Sequence, residues 1–269
     1  MVNESHYVPV GKEKLHYRKW GHGKRLLLAF HGYGDDADVF YPLQEHIADE
    51  YTILSIDLPH HGNSKWPDEE LLRKKELAAL TETLMKEYNA ARVSLIGYSL
   101  GGRVCLSIIE QMPTIIDKVA LMASDGLTIN FYYHFFTRTT VGKKIFRNML
   151  EKPRPYLKVI DWLKKMDMVD AVRYKFVMHF MEEKDGRDLL LKVWPGMSDL
   201  VATPQKLRAV IRKHHIHVSI LMGEYDKIIP AAQAKKFASG LNTVKVYVLK
   251  KGHRVFDHEN VRLVAGQLI

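Results

Sequence analysis

The stretch VSLIGYSLGGRVCLSII, residues 93–109, decides the fold of this chain. The apolar run 93–96 predicts a strand and residues 104–109 predict a helix, so the pattern G-x-S-x-G around Ser99 lies in the turn between them. Such a turn is sharp and strained, and it lifts the serine hydroxyl clear of the sheet. Side chains two residues away would collide there, which explains the glycine on each side of the pattern. The stretch therefore predicts a nucleophile elbow.

Short apolar runs recur along the rest of the chain and alternate with helical patterns. Continuous apolar runs are typical of strands that are buried on both faces, as in a parallel sheet. A hairpin is predicted first, with strands at 6–10 and 15–20. The alternation of strands and helices predicts a doubly wound α/β sheet. The other predicted strands are 26–30, 51–56, 93–96, 119–122, 218–222 and 244–249, and the clearest helices are 71–88 and 231–241.

Two residues at strand ends complete a catalytic arrangement with the serine. A serine hydroxyl is a poor nucleophile at neutral pH, so it needs a base, and the base needs an acid to orient it. Asp226 follows the predicted strand 218–222, and His253 follows the last predicted strand. The chain order is then serine, aspartate, histidine. We predict that Ser99, Asp226 and His253 form a catalytic triad, with Asp125, which follows an earlier strand, as the alternative acid.

Acyl transfer also needs hydrogen-bond donors for the oxyanion that develops in the transition state. One predicted donor is the backbone N–H of Leu100, the residue after the serine, and the helix that follows points its N-terminal N–H groups at the site, which favours negative charge. The other is the backbone N–H of Tyr33, in the loop HGYG at 31–34. Glycines in that loop let the backbone approach closely. This chemistry requires no metal and no organic cofactor.

These motifs together resemble the α/β-hydrolase superfamily. The matching blocks are HGYG (31–34), DLPHHGNS (57–64), GYSLGG (97–102), GEYDKIIP (223–230) and GH (252–253). The resemblance implies the α/β-hydrolase fold, with a mostly parallel eight-stranded sheet flanked by helices and an inserted helical cap. It also implies structural roles for His31 and Asp57. The chain departs from the usual second block at His60, where the superfamily has glycine.

The serine nucleophile narrows the functions that this resemblance implies. It argues against the dehalogenase and epoxide-hydrolase branches, whose nucleophile is aspartate. Esterases, lactonases, thioesterases, acylglycerol lipases, carbon–carbon bond hydrolases and related lyases remain.

The alternation of strands and helices breaks between Gly126 and Gln205, where helical patterns occur without a convincing strand. This stretch carries 12 of the 27 aromatic residues. We expect a hydrolase core at 1–125 and 206–269 and a helical cap at 126–205. One interpretation of the cap is a lid that lines an apolar pocket. The other is that its aromatic side chains only pack small helices together.

Composition and charge limit the class of partner and the compartment. The formal net charge is +9, but the basic residues are scattered pairs and track no single face, so nucleic acid is not expected as a partner. No apolar stretch approaches the roughly 18 residues that a membrane span needs, so no span is expected. The single cysteine, Cys105, suits a reducing compartment, and we expect it to be buried and inert. Residues 1–6 show no signal-peptide pattern, which favours the cytoplasm. The three histidines within 214–217 resemble a metal-binding cluster, but no further ligand lies at a suitable spacing in the sequence. We therefore expect a surface stretch before a strand and no metal site.

The sequence thus predicts a cytoplasmic serine hydrolase that cleaves a small or medium carboxylic ester with an apolar acyl part. A carbon–carbon bond hydrolase or a thioesterase with the same triad is the alternative among enzymes. A ligand-binding protein on a hydrolase fold is the alternative outside enzymes. The sequence assigns neither the physiological substrate nor the oligomeric state.

Overall fold

A computed structural model describes residues 4–166, 174, 178 and 183–269. Phe176 and Phe180 of the predicted cap lie outside the described residues, as do the first three residues. Within the described ranges, the backbone forms a sheet of eight strands. They are β1 (Glu4–Val10), β2 (Glu13–Trp20), β3 (Arg25–Phe30), β4 (Tyr51–Ile56), β5 (Val93–Tyr98), β6 (Ile116–Met122), β7 (His217–Gly223) and β8 (Val244–Leu249).

The sheet is mostly parallel, as predicted. Its strand order is β1-β2-β4-β3-β5-β6-β7-β8. The hairpin strand β2 pairs antiparallel with both β1 and β4, and the other neighbouring strands are parallel. Because the carboxyl ends of parallel strands meet at one edge of a sheet, the loops after β3, β5, β7 and β8 emerge on the same side. The predicted site residues come from these loops.

The central strands are buried on both faces, which explains their continuous apolar sequences. Each residue of β5 is buried, and in β3 each residue after Arg25 is buried. Side chains of a strand alternate between the two faces of the sheet, so such a strand is covered by other elements on both sides.

Helices connect the strands, and α3 begins earlier than the sequence predicts. The helix starts at Leu100, directly after the serine, whereas the apolar pattern starts only at residue 104. The pattern is delayed because Gly101, Gly102 and Arg103 occupy the first turn of the helix. The α-helices are α1 (Gln44–Ile47), α2 (Lys74–Glu87), α3 (Leu100–Gln111), α4 (Phe131–Arg138), α5 (Thr140–Glu151), α6 (Pro153–Lys165), α7 (Lys184–Gly196), α8 (Pro204–His214), α9 (Ala231–Ala238) and α10 (Val261–Ala265). Short 3-10 helices span Ala37–Leu43, Pro113–Ile115 and Ser198–Leu200.

The chain divides into two compact units. The first comprises Met1–Trp66, Leu72–Ile129 and Leu200–Ile269 and contains the whole sheet. The second comprises Pro67–Leu71, which has no helix, and Asn130–Asp199, which holds α4 to α7. Its own core includes Phe146 and Leu150, and the Phe146 ring stacks on Trp194 with ring centroids 5.2 Å apart. That residues 126–205 act as a lid stays a prediction.

Candidate active site

The turn between β5 and α3 holds Ser99 in a strained backbone conformation. Its φ is 49° and its ψ is −111°, a combination that L-residues rarely adopt. The Ser99 N–H donates to the carbonyl of Met122 at 2.8 Å, which fixes the turn against β6. Glycine is required on both sides, because a Cβ on Gly97 would collide with the Gly101 backbone and one on Gly101 would collide with the Phe30 carbonyl. The close approach of the backbones is therefore possible only with glycine at these two positions, and Ser99 between them is half-buried.

A continuous line of hydrogen bonds joins the three residues of the predicted triad. Ser99 Oγ lies 3.0 Å from His253 Nε2, and His253 Nδ1 lies 2.7 Å from Asp226 Oδ2. A carboxylate only accepts hydrogen bonds, so Nδ1–H donates to Asp226 and the Nε2 of the neutral ring accepts the serine hydroxyl. This tautomer lets His253 take the serine proton. The structure brings the three residues together, and their catalytic roles stay a prediction.

The carboxylate of Asp226 is fixed from its other side. The residue is 3 % exposed, and its Oδ1 accepts the backbone N–H groups of Ile228 at 2.8 Å and Ile229 at 2.9 Å. A buried carboxylate is costly unless such donors satisfy it. With Oδ1 occupied by the loop, Oδ2 is left to orient His253.

The alternative acid, Asp125, is engaged elsewhere. Its Oδ2 is ion-paired with the guanidinium of Arg103, a buried residue in α3, and its Oδ1 accepts the N–H of Gly126 at 2.7 Å. The Asp125 backbone N–H also donates to the Ser99 carbonyl at 3.0 Å. This arrangement ties the loop after β6 to the elbow, while Asp226 occupies the position beside His253.

The two predicted oxyanion donors lie at the first residue of α3 and in the loop after β3. Leu100 is the first residue of its helix, so its N–H has no acceptor within the helix. Next to Tyr33, the Gly34 N–H donates to His61 Nε2 at 3.1 Å, and the Tyr33 ring packs edge-on against the His61 ring at 5.9 Å. His61 therefore holds the backbone beside Tyr33. The oxyanion roles of both N–H groups stay a prediction.

Two buried histidines connect this loop to the turn after β4. His31 Nε2 accepts the N–H of Leu58 at 2.9 Å, and its Nδ1 lies 2.7 Å from the Gly32 carbonyl. Burial lowers the pKa of His31 to about 4. Burial, and then the neighbouring His31, lowers the pKa of His61 to about 4. Both rings are therefore neutral near pH 7 and can accept backbone N–H groups.

Side chains that sequence reasoning missed connect the loop that carries His253 with the loop after β3 and with the end of β5. Arg254, next to His253, donates to Asp35 Oδ1 at 2.6 Å, and the two residues are 219 positions apart. The hydroxyl of Tyr98 reaches the His253 carbonyl at 3.4 Å. Burial raises the pKa of Tyr98 to about 12, so it stays a neutral donor. No sequence pattern signals these contacts, because the loops that carry them meet only at the edge of the folded sheet.

His60 adopts the conformation that the superfamily's glycine would adopt. Its φ is 66°, in the left-handed region, where histidine is less costly than most residues. The turn around it is organised by Asp57, whose carboxylate accepts the N–H groups of Ala37 at 2.6 Å and Asn63 at 2.7 Å. The chain thus keeps this turn without the glycine, at the cost of a left-handed non-glycine residue.

The other residues that the sequence raised as candidates take no part in the hydrogen bonds that join Ser99, His253 and Asp226. Cys105 is buried in α3, as predicted, and burial raises the pKa of its thiol well above its usual range. Among the described residues, no cluster of histidine, cysteine or acidic side chains has an arrangement that could hold a metal ion. In the same part of the chain, each helix is too short or too polar to cross a membrane.

Comparison with known proteins gives a family and several relatives. The family model of the alpha/beta hydrolase fold matches residues 25–257. The chain is similar to the uncharacterized hydrolase YugF of Bacillus subtilis, with 24% identity over 262 residues that cover 91% of this chain and 89% of YugF. It is also similar to the dihydrolipoyllysine-residue acetyltransferase component of the acetoin cleaving system of Cupriavidus necator. That match is 27% identical over 246 residues and covers 90% of this chain but only 62% of the relative's length.

A solved structure supports the same fold. The thermophilic esterase from Thermogutta terrifontis superposes with a TM-score of 0.69, and the match covers 98% of this chain and 96% of the esterase chain. The two sequences are 13% identical, so this likeness concerns the fold alone.

Proposed function

We propose that this chain, which belongs to the alpha/beta hydrolase fold family and is a hydrolase enzyme, cleaves small or medium carboxylic esters through an acyl-enzyme on Ser99. The observation that carries the proposal is the line of hydrogen bonds from Ser99 through His253 to Asp226, at 3.0 and 2.7 Å. The strained φ of 49° at Ser99 supports it, because strain of this kind is typical of a serine that is held out for reaction.

In the acylation step, the lone pair of Ser99 Oγ attacks the ester carbonyl carbon while His253 Nε2 takes the hydroxyl proton. Asp226 stabilises the imidazolium that forms, because its Oδ2 accepts the Nδ1–H. Collapse of the tetrahedral intermediate breaks the bond to the alcohol oxygen, and His253 returns its proton to that oxygen. Water then attacks the acyl carbon while His253 takes its proton, and collapse of this second intermediate breaks the bond to Ser99 Oγ. His253 returns the proton to Oγ, and the carboxylic acid is released.

The negative charge of the tetrahedral oxygen requires two donors that are fixed in advance. We assign this role to the backbone N–H groups of Leu100 and Tyr33. The helix N-terminus at Leu100 favours negative charge, and the hydrogen bond from Gly34 to His61 restrains the backbone beside Tyr33. Removal of one oxyanion donor typically costs about 10²- to 10³-fold in kcat.

We further propose that residues 126–205 are a lid that gives the enzyme its preference for apolar acyl groups. Phe131 and Tyr132 of this stretch are each 72 % exposed, and Trp162 is 55 % exposed. Aromatic side chains whose sole role was to pack helices together would be covered. Exposed apolar groups of this kind favour an apolar substrate.

The test is a substrate panel with purified wild-type protein and the Ser99→Ala variant. We expect p-nitrophenyl butyrate and octanoate to be cleaved with a higher kcat/KM than the acetate, and Ser99→Ala to lose about 10³-fold or more in turnover. Ser239→Ala, at an exposed serine after α9, is the matched control and should keep wild-type rates. Near-wild-type turnover by folded Ser99→Ala would contradict the proposal.

The same panel separates the other candidate reactions. A butyryl thioester that is cleaved much faster than the matched oxygen ester would reassign the enzyme as a thioesterase. Cleavage of a vinylogous diketone with no ester turnover would reassign it as a carbon–carbon bond hydrolase. Binding of esters without cleavage of any of these substrates would favour a ligand-binding protein.

A further inference from the structure

A second line of serine, histidine and aspartate lies at the edge strand of the sheet. Ser5 Oγ is 2.8 Å from His16 Nε2, and His16 Nδ1 is 2.7 Å from Asp57 Oδ2. The corresponding distances at Ser99 are 3.0 and 2.7 Å. Four strand spacings of about 4.8 Å separate β1, which carries Ser5, from β5, the strand that precedes Ser99.

The histidine and the aspartate of this second line are as firmly fixed as those beside Ser99. His16 is 0 % exposed and Asp57 is 1 % exposed. The Asp57 carboxylate accepts two backbone N–H groups, from Ala37 and Asn63, just as Asp226 accepts two from its own loop. With the Nδ1–H of His16 donated to Asp57, Nε2 is the ring nitrogen left to accept the Ser5 hydroxyl. Ser5 itself is exposed.

A cation also lies on the same face of the hairpin. Arg18 is directly opposite Ser5 in the antiparallel register, so the two side chains project from the same face. The Arg18 guanidinium is held by Asp38, with Nε 3.2 Å from Oδ1. A guanidinium on the same face favours the negative charge that develops on a carbonyl oxygen when Ser5 attacks the carbonyl carbon.

The buried pair has a structural role that does not depend on Ser5. The His16 backbone N–H donates to Ser64 Oγ at 2.8 Å, and the Asp57 N–H donates to the His16 carbonyl at 2.9 Å. These bonds join β2 to the turn after β4. Because they are made without Ser5, the exposed hydroxyl is free to react without loss of the fold.

We propose that Ser5 is a second acylation site, with His16 as its base and Asp57 as the acid that orients His16. Its acyl donors are activated esters and thioesters. His16 Nε2 takes the Ser5 proton, the Oγ lone pair forms a bond to the carbonyl carbon, and the leaving group departs with the electron pair of the broken bond. With p-nitrophenyl acetate, the products are acetyl-Ser5 and p-nitrophenol. Ser5 lies within β1 and is not followed by a helix N-terminus as Ser99 is, so we expect slow, single acylation.

The experiment uses the full chain with Ser99→Ala, which removes the first serine and makes the result independent of the proposed function. The protein is incubated with p-nitrophenyl acetate, and acetylated residues are located by peptide mass spectrometry. Alkaline hydroxylamine then distinguishes serine esters, which it removes, from lysine amides, which it leaves. We expect Ser5 to be acetylated on the order of 100-fold faster than Ser239, the lower end of the effect of a positioned base.

Ser239 is the internal control, because it is exposed and, among the described residues, no histidine ring accepts its hydroxyl. Adding Ser5→Ala should remove the hydroxylamine-sensitive acetyl group. Adding His16→Gln, with folding checked by circular dichroism, should reduce acylation of Ser5 to the rate of Ser239. If Ser5 and Ser239 react equally fast in the Ser99→Ala protein, the proposal is overturned. This comparison leaves His16 and Asp57 unchanged, so it does not depend on whether a variant of either residue folds.

Discussion

At the scale of single residues, two carboxylates near the elbow have different partners. Asp226 accepts the His253 Nδ1–H at 2.7 Å, whereas Asp125 is ion-paired with Arg103. We predict that Asp226→Asn lowers kcat for p-nitrophenyl butyrate by about 10³- to 10⁴-fold, because asparagine presents the wrong partner and shifts the histidine to the other tautomer. Steady-state kinetics of the purified variant measure this.

Asp125→Asn is the matched control for that measurement. The substitution removes a carboxylate near the elbow that does not contact His253, so we expect kcat to stay within a small factor of the wild-type value. We also expect lower stability, because the ion pair with Arg103 is weakened. If Asp125→Asn were the more damaging change for kcat, the acid of the triad would be reassigned.

These residues also show what the sequence can predict of a site. Ser99, Asp226 and His253 each follow a strand with a strong apolar pattern, so their meeting at one edge of the sheet follows from topology. The pair Asp35 and Arg254 has no such signal, because its geometry depends on two loops whose paths only the folded backbone defines. The line from Ser5 to Asp57 was missed for the same reason, although its hairpin was predicted.

At the scale of elements, neutral histidines hold the loop after β3 to the turn after β4. Burial and the neighbouring His31 lower the pKa of His61 to about 4 from an ordinary 6.5. Above pH 6.5 the ring is neutral in both the folded and the unfolded chain, so the stabilisation is fully present. Between pH 6.5 and 4 only the unfolded chain takes up the proton, so the free energy of unfolding falls as the pH falls, by roughly 3 kcal/mol from this group.

We therefore predict that acid destabilises the wild-type protein more than His61→Gln. The glutamine carbonyl can accept the Gly34 N–H but does not titrate, so the variant lacks this contribution. Urea unfolding at pH 7 and pH 4.5 gives the free energy of unfolding of both proteins. The carboxylates are the same in both, so their effect on the loss of stability in acid cancels in the comparison. Equal losses of stability in the two proteins would show that His61 does not have the lowered pKa.

The elements themselves were predicted better than their ends. The strands were found because runs such as LLLAF in β3 are buried on both faces, and burial selects apolar residues. The start of α3 was missed because the residues there, Gly101 and Gly102, are dictated by backbone contact rather than by helix propensity. The left-handed His60 was marked in the sequence only by its departure from the superfamily's glycine.

At the scale of the whole molecule, the sheet and its pairing lie within one unit, and the aromatic-rich insertion lies in the other. We predict that replacing residues 130–199 with a short Gly/Ser linker abolishes the preference for longer acyl chains while acetate esters are still cleaved. The measurement is kcat/KM for acetyl, butyryl and octanoyl esters. Phe131→Ser with Tyr132→Ser is the milder variant if the exposed apolar surface of the truncated protein makes it aggregate. Unchanged selectivity in soluble protein would leave the aromatic residues with a packing role alone.

The central claim is that an acyl-enzyme forms on Ser99, and rapid-quench mass spectrometry tests it most directly. Wild-type protein is mixed with p-nitrophenyl butyrate, quenched in acid during the first turnovers and digested for peptide mapping. We predict a butyryl group on Ser99 that forms and decays at rates consistent with kcat, is absent in Ser99→Ala, and precedes any acylation of Ser5. Steady turnover of the ester with no acyl group on Ser99 at any quench time would contradict the account.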